Sequence, residues 1–308
     1  MSPFDHIIGH CHFPSNEQAF TEAQRLFHGR GHAYQGLNHV TIDWLPPVLL
    51  ITLFAAESEL IIEQLCQKLL TEIPNCKSIQ LQHRYQLHGP IDVIWGDDFS
   101  HLTVKENGNK YKIQLGKSRN TGLFLDIKNG RQWIQDHCKN KRVLNLFSYT
   151  CGFSVAAIEG GAKSVLNVDM SSPALNVGRE NHRLNEHSLQ SVSFEKINIF
   201  KSFGRLKKRG PFDILICDPP TFQKGSVDIE RDYPKIMRRL KEFMAPQSTL
   251  LLCLNSPDLG KGFIVKNMFE HAPQYTYINE VKPPKVYVDA ENKGLKVLVF
   301  QEKNTNLR

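Results

Sequence analysis

The stretch Val143-Leu-Asn-Leu-Phe-Ser-Tyr-Thr-Cys-Gly-Phe153 decides how the 308-residue chain is read. An apolar, β-forming run, Val143–Phe147, passes into a turn of small residues and then into a helix-like segment, Phe153–Gly160. A small-residue turn lets the chain approach a ligand closely, and the following helix presents unpaired N–H groups. The turn has neither the glycine spacing of a dinucleotide fingerprint nor that of a Walker A loop. A plain β-to-α connection therefore stays open as an alternative.

Working outward, the same alternation repeats to the C-terminus. Strands are predicted at Val143–Phe147, Ser164–Val168, Val192–Phe194, Phe212–Cys217, Thr249–Leu254, Thr276–Val281 and Leu295–Gln301. Helices are predicted at Asn129–Cys138, Phe153–Gly160, Pro173–Asn185, Ile229–Met244 and Gly260–His271. The pattern predicts an α/β fold: a seven-stranded, mostly parallel Rossmann-like sheet closed by a hairpin. Ligands of such sheets bind beyond the carboxyl ends of the strands. The chemistry should therefore follow each strand.

Unusual residues stand there. Asp169 ends the second strand, about twenty positions after the glycine-containing turn, where a carboxylate can accept from both hydroxyls of a ribose. Its competing role, capping the next helix, is better served by Ser171 and Ser172. Asn198 follows the third strand. Its amide can donate and accept together, as an adenine edge requires, or it is a solvated loop residue. The fourth strand ends Cys217-Asp218-Pro219-Pro220-Thr221-Phe222. Two prolines stiffen that loop, and Asp218 stands at the strand's carboxyl end.

The first part of the chain is mixed. Val48–Phe54, the helically spaced Glu57–Leu70 and Ser78–Gln86 read as a β-α-β unit. Leu102–Val104 and Tyr111–Leu115 flank Glu106-Asn-Gly-Asn109 and read as a hairpin. Glu17–Phe27 reads as a short helix. His6, His10, Cys11 and His12 crowd the N-terminus; the choice is a metal site or a loose polar tail, and no second ligand cluster lies nearby. No metal is expected. The division is a tail over 1–18, a smaller α+β domain over 19–120, and the larger sheet domain over 121–308.

Composition excludes several classes. With 41% apolar and 22% charged residues, the chain has material for a large core. The longest apolar stretch, near Trp44–Ala56, is broken by Pro46 and Pro47 and is too short to span a bilayer. The N-terminus lacks a signal-peptide pattern. Seven scattered cysteines with no CxxC pair read as reduced thiols, so a cytoplasmic location is expected. Net charge is +7, and the window Lys201–Lys241 holds 11 Lys and Arg against 5 Asp and Glu. Lys207, Lys208, Arg209 and Arg231 in that window are candidate RNA-phosphate contacts, with a solvated helix face as the alternative. Phe222 could stack on an extruded base or simply pack.

The ordered positions Gly152, Asp169, Asn198 and Asp218 resemble those of a class I S-adenosyl-L-methionine-dependent methyltransferase. More specifically, Asn120-Thr-Gly-Leu-Phe-Leu-Asp126 with Arg131, Val143–Phe153, Val168-Asp169 and Asp218–Phe222 resemble the bacterial 23S ribosomal RNA large-subunit methyltransferases of the I and K type. Asp228-Ile-Glu-Arg-Asp-Tyr-Pro-Lys-Ile-Met237 resembles the guanine-N7 branch. Arg25–Gly31 and Tyr34–Asn38 resemble the start of the small domain that precedes the catalytic one. About 20 residues precede the match, so the family's usual N-terminal PUA domain is not expected.

The resemblance implies that Ser148, Thr150 and Gly152 form the cofactor loop. It implies that Asp169 binds the ribose, that Asn198 (where the family has Asp) meets the adenine, and that Asp218, Pro219 and Pro220 border methyl transfer. It also implies an RNA partner, 23S rRNA or a ribosomal particle, for a monomer or homodimer. Cytosine C5 is a poor nucleophile and needs a cysteine to add first. In that branch the cysteine follows the fifth strand, where Asn255 stands here. Cys253 lies inside the strand, and Cys217 should face away from the crevice. A ring nitrogen such as guanine N7 needs no covalent help, and Asn255 becomes a base-edge or cofactor contact. Two rivals remain: a methyltransferase of small molecules or proteins, and an RNA-binding assembly factor without turnover.

Overall fold

The computed structural model describes residues 3–220, 222–223 and 227–303. The chain forms two compact units. One is Met1–Lys128 with Pro284–Asn292; the other is Asn129–Pro283 with Lys293–Arg308.

In the first unit, β1 (Gln24–His28), β2 (Val40–Leu45), β3 (Val48–Leu53), β4 (Ser78–His83) and β5 (Ile91–Gly96) form one sheet in that order. The β-α-β expectation holds: α1 (Glu59–Glu72) carries the chain from β3 to its parallel neighbour β4. The hairpin also holds, as β6 (His101–Glu106) and β7 (Asn109–Gln114). Asn107 and Gly108 both have positive φ, 50° and 80°, which suits the right-handed twist of the flanking strands.

Two expectations do not hold. Glu17–Phe27 is not a helix. Phe20, Ala23 and Phe27 fall at helical spacing, but pairing with β2 (Gln24 opposite Trp44, His28 opposite Thr41) draws the second half into β1. The N-terminal histidines do not sit on a loose tail. Pro3–His10 forms a 3₁₀ helix whose Ile7 is fully buried in the core of this unit. Among the described residues no cluster of three metal-ligating side chains exists.

The second unit follows the alternation read from the sequence. Its helices are α2 (Lys128–His137, whose first residue closes the smaller unit), α3 (Gly152–Glu159), α4 (Ser172–Leu184), α5 (Phe203–Arg209), α6 (Ile229–Phe243) and α7 (Lys261–His271). Its strands are β8 (Arg142–Leu146), β9 (Ser164–Asp169), β10 (Val192–Lys196), β11 (Phe212–Cys217), the short β12 (Phe222–Gln223) and β13 (Val227–Asp228), β14 (Met244–Leu254), β15 (Tyr275–Glu280) and β16 (Lys296–Glu302). The seven-stranded sheet runs β10-β9-β8-β11-β14-β16-β15, with β16 antiparallel to both its neighbours. The helix α5 has no counterpart in the sequence reading. It is short, and only Phe203 and Leu206 of it are buried, so it shows no apolar stripe.

Alternation divides the strands between two faces. Leu144, Leu146, Leu215, Cys217, Leu250 and Leu252 pack with Tyr233, Met237 and Leu240 of α6. The opposite face carries a buried polar chain. Asn145 donates to Asn167 Oδ1 (2.9 Å), Asn167 donates to Ser154 Oγ (2.9 Å), and Ser154 Oγ lies 2.9 Å from His182 Nε2. It ties α3 and α4 to β8 and β9. Burial, and then His187, push His182 down to about 3, so the ring stays neutral inside the fold. Among the described residues no helix is long and apolar enough to cross a membrane.

One glycine is required by contact. A Cβ on Gly178 of α4 would overlap Cys151 Sγ and lie 2.9 Å from Cys151 Cβ. Gly178→Ala is expected to cost about 1–3 kcal/mol by overpacking. Thermal unfolding should show a lowered Tm for the single variant, and partial recovery when Cys151→Ala removes the Sγ overlap but keeps the Cβ contact.

Candidate active site

Strands β8 and β11 are neighbours, yet β9 and β10 extend the sheet on one side and β14 onward on the other. That is a topological switch point, where loops leaving adjacent strands turn to opposite faces and leave a crevice at the carboxyl ends. The loop after β8 is wound tightly. Phe147, Tyr149 and Cys151 all have positive φ (57°, 46° and 62°). For side chains other than glycine, each costs on the order of 1 kcal/mol. The surroundings hold them there. Ser148 N–H donates to the Val168 carbonyl (3.1 Å), Cys151 N–H to the Ser148 carbonyl (2.7 Å), and Asn181 to the Thr150 carbonyl (2.9 Å). Gly152 then opens α3. Ser148 Oγ is buried and has no hydrogen-bond partner. The Cys151 thiol lies beside that hydroxyl.

Asp169, at the end of β9, organises this loop. Its Oδ2 accepts from Tyr149 N–H and its Oδ1 from Ser171 N–H, both at 2.8 Å. A carboxylate has about four acceptor sites, so capacity remains for hydroxyl donors. Ser171 caps α4 by accepting from Ala174 N–H, the role expected of it from its position. Asn198 is more restricted than its amide suggests. Its Oδ1 accepts from both Phe200 N–H (3.0 Å) and Lys201 N–H (3.3 Å) as the cap of the turn after β10. Its acceptor is thus committed, and its NH₂ donors are what it can offer a ligand.

Across the switch point, Asp218, the buried Pro219 and the exposed Pro220 follow β11, and the exposed Asn255 follows β14. Tyr233 of α6, fully buried, places both loops. Its hydroxyl lies 3.1 Å from the Cys217 carbonyl and 2.9 Å from the Cys253 carbonyl, near the carboxyl ends of the two strands. Sequence reasoning placed Tyr233 inside a family-like segment without a role of its own. The signal for one was a tyrosine on the buried stripe of an amphipathic helix, which needs a partner for its hydroxyl.

The cysteines are not placed for attack. Cys217 and Cys253 are fully buried on opposite faces of the sheet, and burial pushes the Cys217 thiol well up. Burial likewise pushes Cys151 up to about 12.

The basic residues lie at the far edge of the sheet or in ion pairs. Lys207, Lys208 and Arg209 lie in the last turn of α5, at the amino edge of the sheet, where Arg142 at the start of β8 donates to the Arg209 carbonyl (2.7 Å). The length of β11, about 16 Å at 3.3 Å per residue, separates that edge from Asp218. Arg205 and Arg209 also share one buried carboxylate, Glu195 (2.7 and 3.0 Å). Arg231 is committed as well: it grips Asp232 through Nε and Nη2 (3.0 and 2.9 Å), and Lys235 joins them at 2.7 Å. The Arg231 hydrogen bonds, more than any other cause, hold the Asp232 carboxyl far below its usual range. Only the backbone of Phe222 is described; its side chain, like Thr221, lies outside the described residues.

Tyr233→Phe removes a hydroxyl that ties β11 to β14 at the crevice. A loss of about 1–3 kcal/mol in stability is expected. Hydrogen exchange should show faster opening of the loops after β11 and β14, with the Phe147–Cys151 loop held by Asp169 unchanged.

The chain has relatives among known proteins. Residues 24–301 match the family described as S-adenosylmethionine-dependent methyltransferase. Ribosomal RNA large subunit methyltransferase I of Aeromonas salmonicida (strain A449) is 32% identical over 226 residues, 70% of this chain; the match spans only 57% of that relative's length. A Bacillus subtilis (strain 168) protein with the provisional name ribosomal RNA large subunit methyltransferase YwbD is 30% identical over 303 residues, 92% of this chain and 75% of its own. Among solved structures, SMU.776 complexed with SAH superposes with a TM-score of 0.84 at 23% identity, covering 97% of this chain and 81% of that one. With residues 24–301 matched, the chain belongs to the S-adenosylmethionine-dependent methyltransferases.

Proposed function

We propose that this enzyme methylates a base nitrogen of RNA, guanine N7 or a nitrogen like it, in large-subunit ribosomal RNA, with no covalent cysteine intermediate. The observation that carries the chemistry is the burial of Cys217 and Cys253 inside their strands, with the exposed Asn255 in the position that follows β14. The names of the relatives support the substrate class.

The residues fit the cofactor. Asp169 has acceptor capacity for the ribose hydroxyls, the Asn198 NH₂ suits the ring-nitrogen acceptor of adenine, and Ser148 Oγ awaits a partner. When bound, S-adenosylmethionine supplies an electrophilic methyl group on a sulfonium sulfur. Asp218 and the carbonyls of the stiff Pro219-Pro220 loop border the place where the nucleophile must arrive. N7 of guanine carries no proton and holds its lone pair in the ring plane, so no general base is required. What the protein must do is orient that edge in line at about 3 Å and exclude water. Asn255 is placed to hold the base edge, with Asp218 and the two prolines limiting its slide.

Two variants test this with labelled methyl transfer to 23S rRNA. Asp218→Ala is expected to lower kcat by about a hundredfold or more. Cys217→Ala with Cys253→Ala is expected to keep the activity to within a few-fold, apart from any loss of stability. Abolished transfer by a still-folded double cysteine variant would refute the mechanism.

A further inference from the structure

The smaller unit holds a cleft of about 210 Å³. That is below the roughly 300–1,000 Å³ of pockets that enclose drug-sized ligands. Its floor is self-compensated. Arg25 makes a two-pronged pair with Asp43, and its Nη1 lies 3.0 Å from His28 Nδ1. Arginine only donates, so Nδ1 accepts and the single imidazole proton sits on Nε2. Burial, then Arg25 and Arg30, push His28 down to about 3, so it adds no charge at neutral pH.

The rim differs. Arg30, Arg84 and Arg119 line it and have no carboxylate partner among the described residues. Their bonds go to neutral acceptors. Arg30 donates to the Asn38 carbonyl (3.5 Å), Arg84 to the Arg119 carbonyl and to Asn120 Oδ1 (3.3 Å), and Arg119 to the Arg84 carbonyl (2.8 Å). The guanidinium carbons of Arg30 and Arg84 lie 4.4 and 5.8 Å from the centre of the same ring, Phe54. Burial and the charges of Arg119 and Arg30 push Arg84 down, a sign of mutual repulsion. Asp126 also lines the cleft, but the bonds of these three forked cations all go to neutral acceptors, which leaves them able to take an anion with several acceptor oxygens. Phe124 lines the same cleft and is 45% exposed, so its ring is open to a ligand there. A phosphate alone would need no such ring. A phosphate with an unstacked base beside it would.

We propose that this cleft is a single-stranded RNA subsite, in which Arg30, Arg84 and Arg119 hold a backbone phosphate and Phe124 stacks on the adjoining base. It rests on the reading of the protein as an RNA methyltransferase. The full chain should be tested by fluorescence anisotropy against a short labelled single-stranded RNA and against 23S rRNA over a salt series, with calorimetry of S-adenosylmethionine alongside.

Arg30→Ala with Arg119→Ala, both at exposed positions, should weaken RNA binding. It should also flatten the log–log salt slope by about 0.7 for each phosphate no longer neutralised. Phe124→Ala should weaken binding about tenfold or more with little change of slope. Arg84→Lys keeps the charge, loses the fork and should fall between. Unfolding curves identify any variant that fails to fold. Wild-type affinity and slope in folded arginine and Phe124 variants would overturn the subsite while leaving the enzyme reading intact. So would a loss of slope confined to Lys207→Ala with Lys208→Ala, or equal competition by a free mononucleotide. A wild-type protein that binds S-adenosylmethionine but neither binds nor methylates RNA would bring down the substrate reading, and the subsite with it.

Discussion

The candidate site depends on one constraint of chain geometry. Parallel strands joined through helices cross over with a single hand, so a sheet that grows outward from β8 in both directions must part at the β8–β11 seam. The loop of Phe147–Cys151 leaves toward one face and the Asp218-Pro-Pro loop toward the other. What lies between them is set by the topology before any side chain is chosen. The side chains then fix its edges. Asp169 anchors the first loop through Tyr149 N–H, and Tyr233 ties the second to the loop after β14. The three left-handed residues of the first loop have an energetic cost, which the bonds from Tyr149 N–H to Asp169 and from Asn181 to the Thr150 carbonyl help to offset.

Much of this was legible in the residues, and the reasons are local. The central strands β8, β9, β11 and β14 are marked by short apolar runs ending in polar residues, because both faces of the parallel part of the sheet are covered. Asp169 and Asp218 stood out because they end such runs. What was not legible depended on partners far away in sequence. β1 looked helical until β2 was there to pair with it. Asn198 read as a two-way contact, yet its oxygen is held by the turn that follows. Ile7 looked like part of a tail because nothing nearby in sequence shows the core that buries it.

Charge shows the same limit more sharply. The Lys201–Lys241 window is the densest basic run, and counting along the chain points to it. In space Arg205, Arg209 and Arg231 are tied to Glu195 and Asp232, and Lys207 and Lys208 lie at the end of the sheet away from Asp218. The uncompensated cluster is instead Arg30, Arg84 and Arg119, three residues separated by 54 and 35 positions that no window joins. Folding gathers them into one cleft, two of them over the ring of Phe54. Charge density along a sequence thus reports composition, whereas a cluster of arginines outside ion pairs reports a surface.

The identity of the methylated atom tests the central claim most directly. Purified enzyme with isotope-labelled S-adenosylmethionine and unmodified 23S rRNA should yield, on nucleoside mass spectrometry, a labelled base-nitrogen product such as 7-methylguanosine, with the same product from the Cys217→Ala and Cys253→Ala protein. Labelled 5-methylcytidine, lost with either cysteine, would contradict the account.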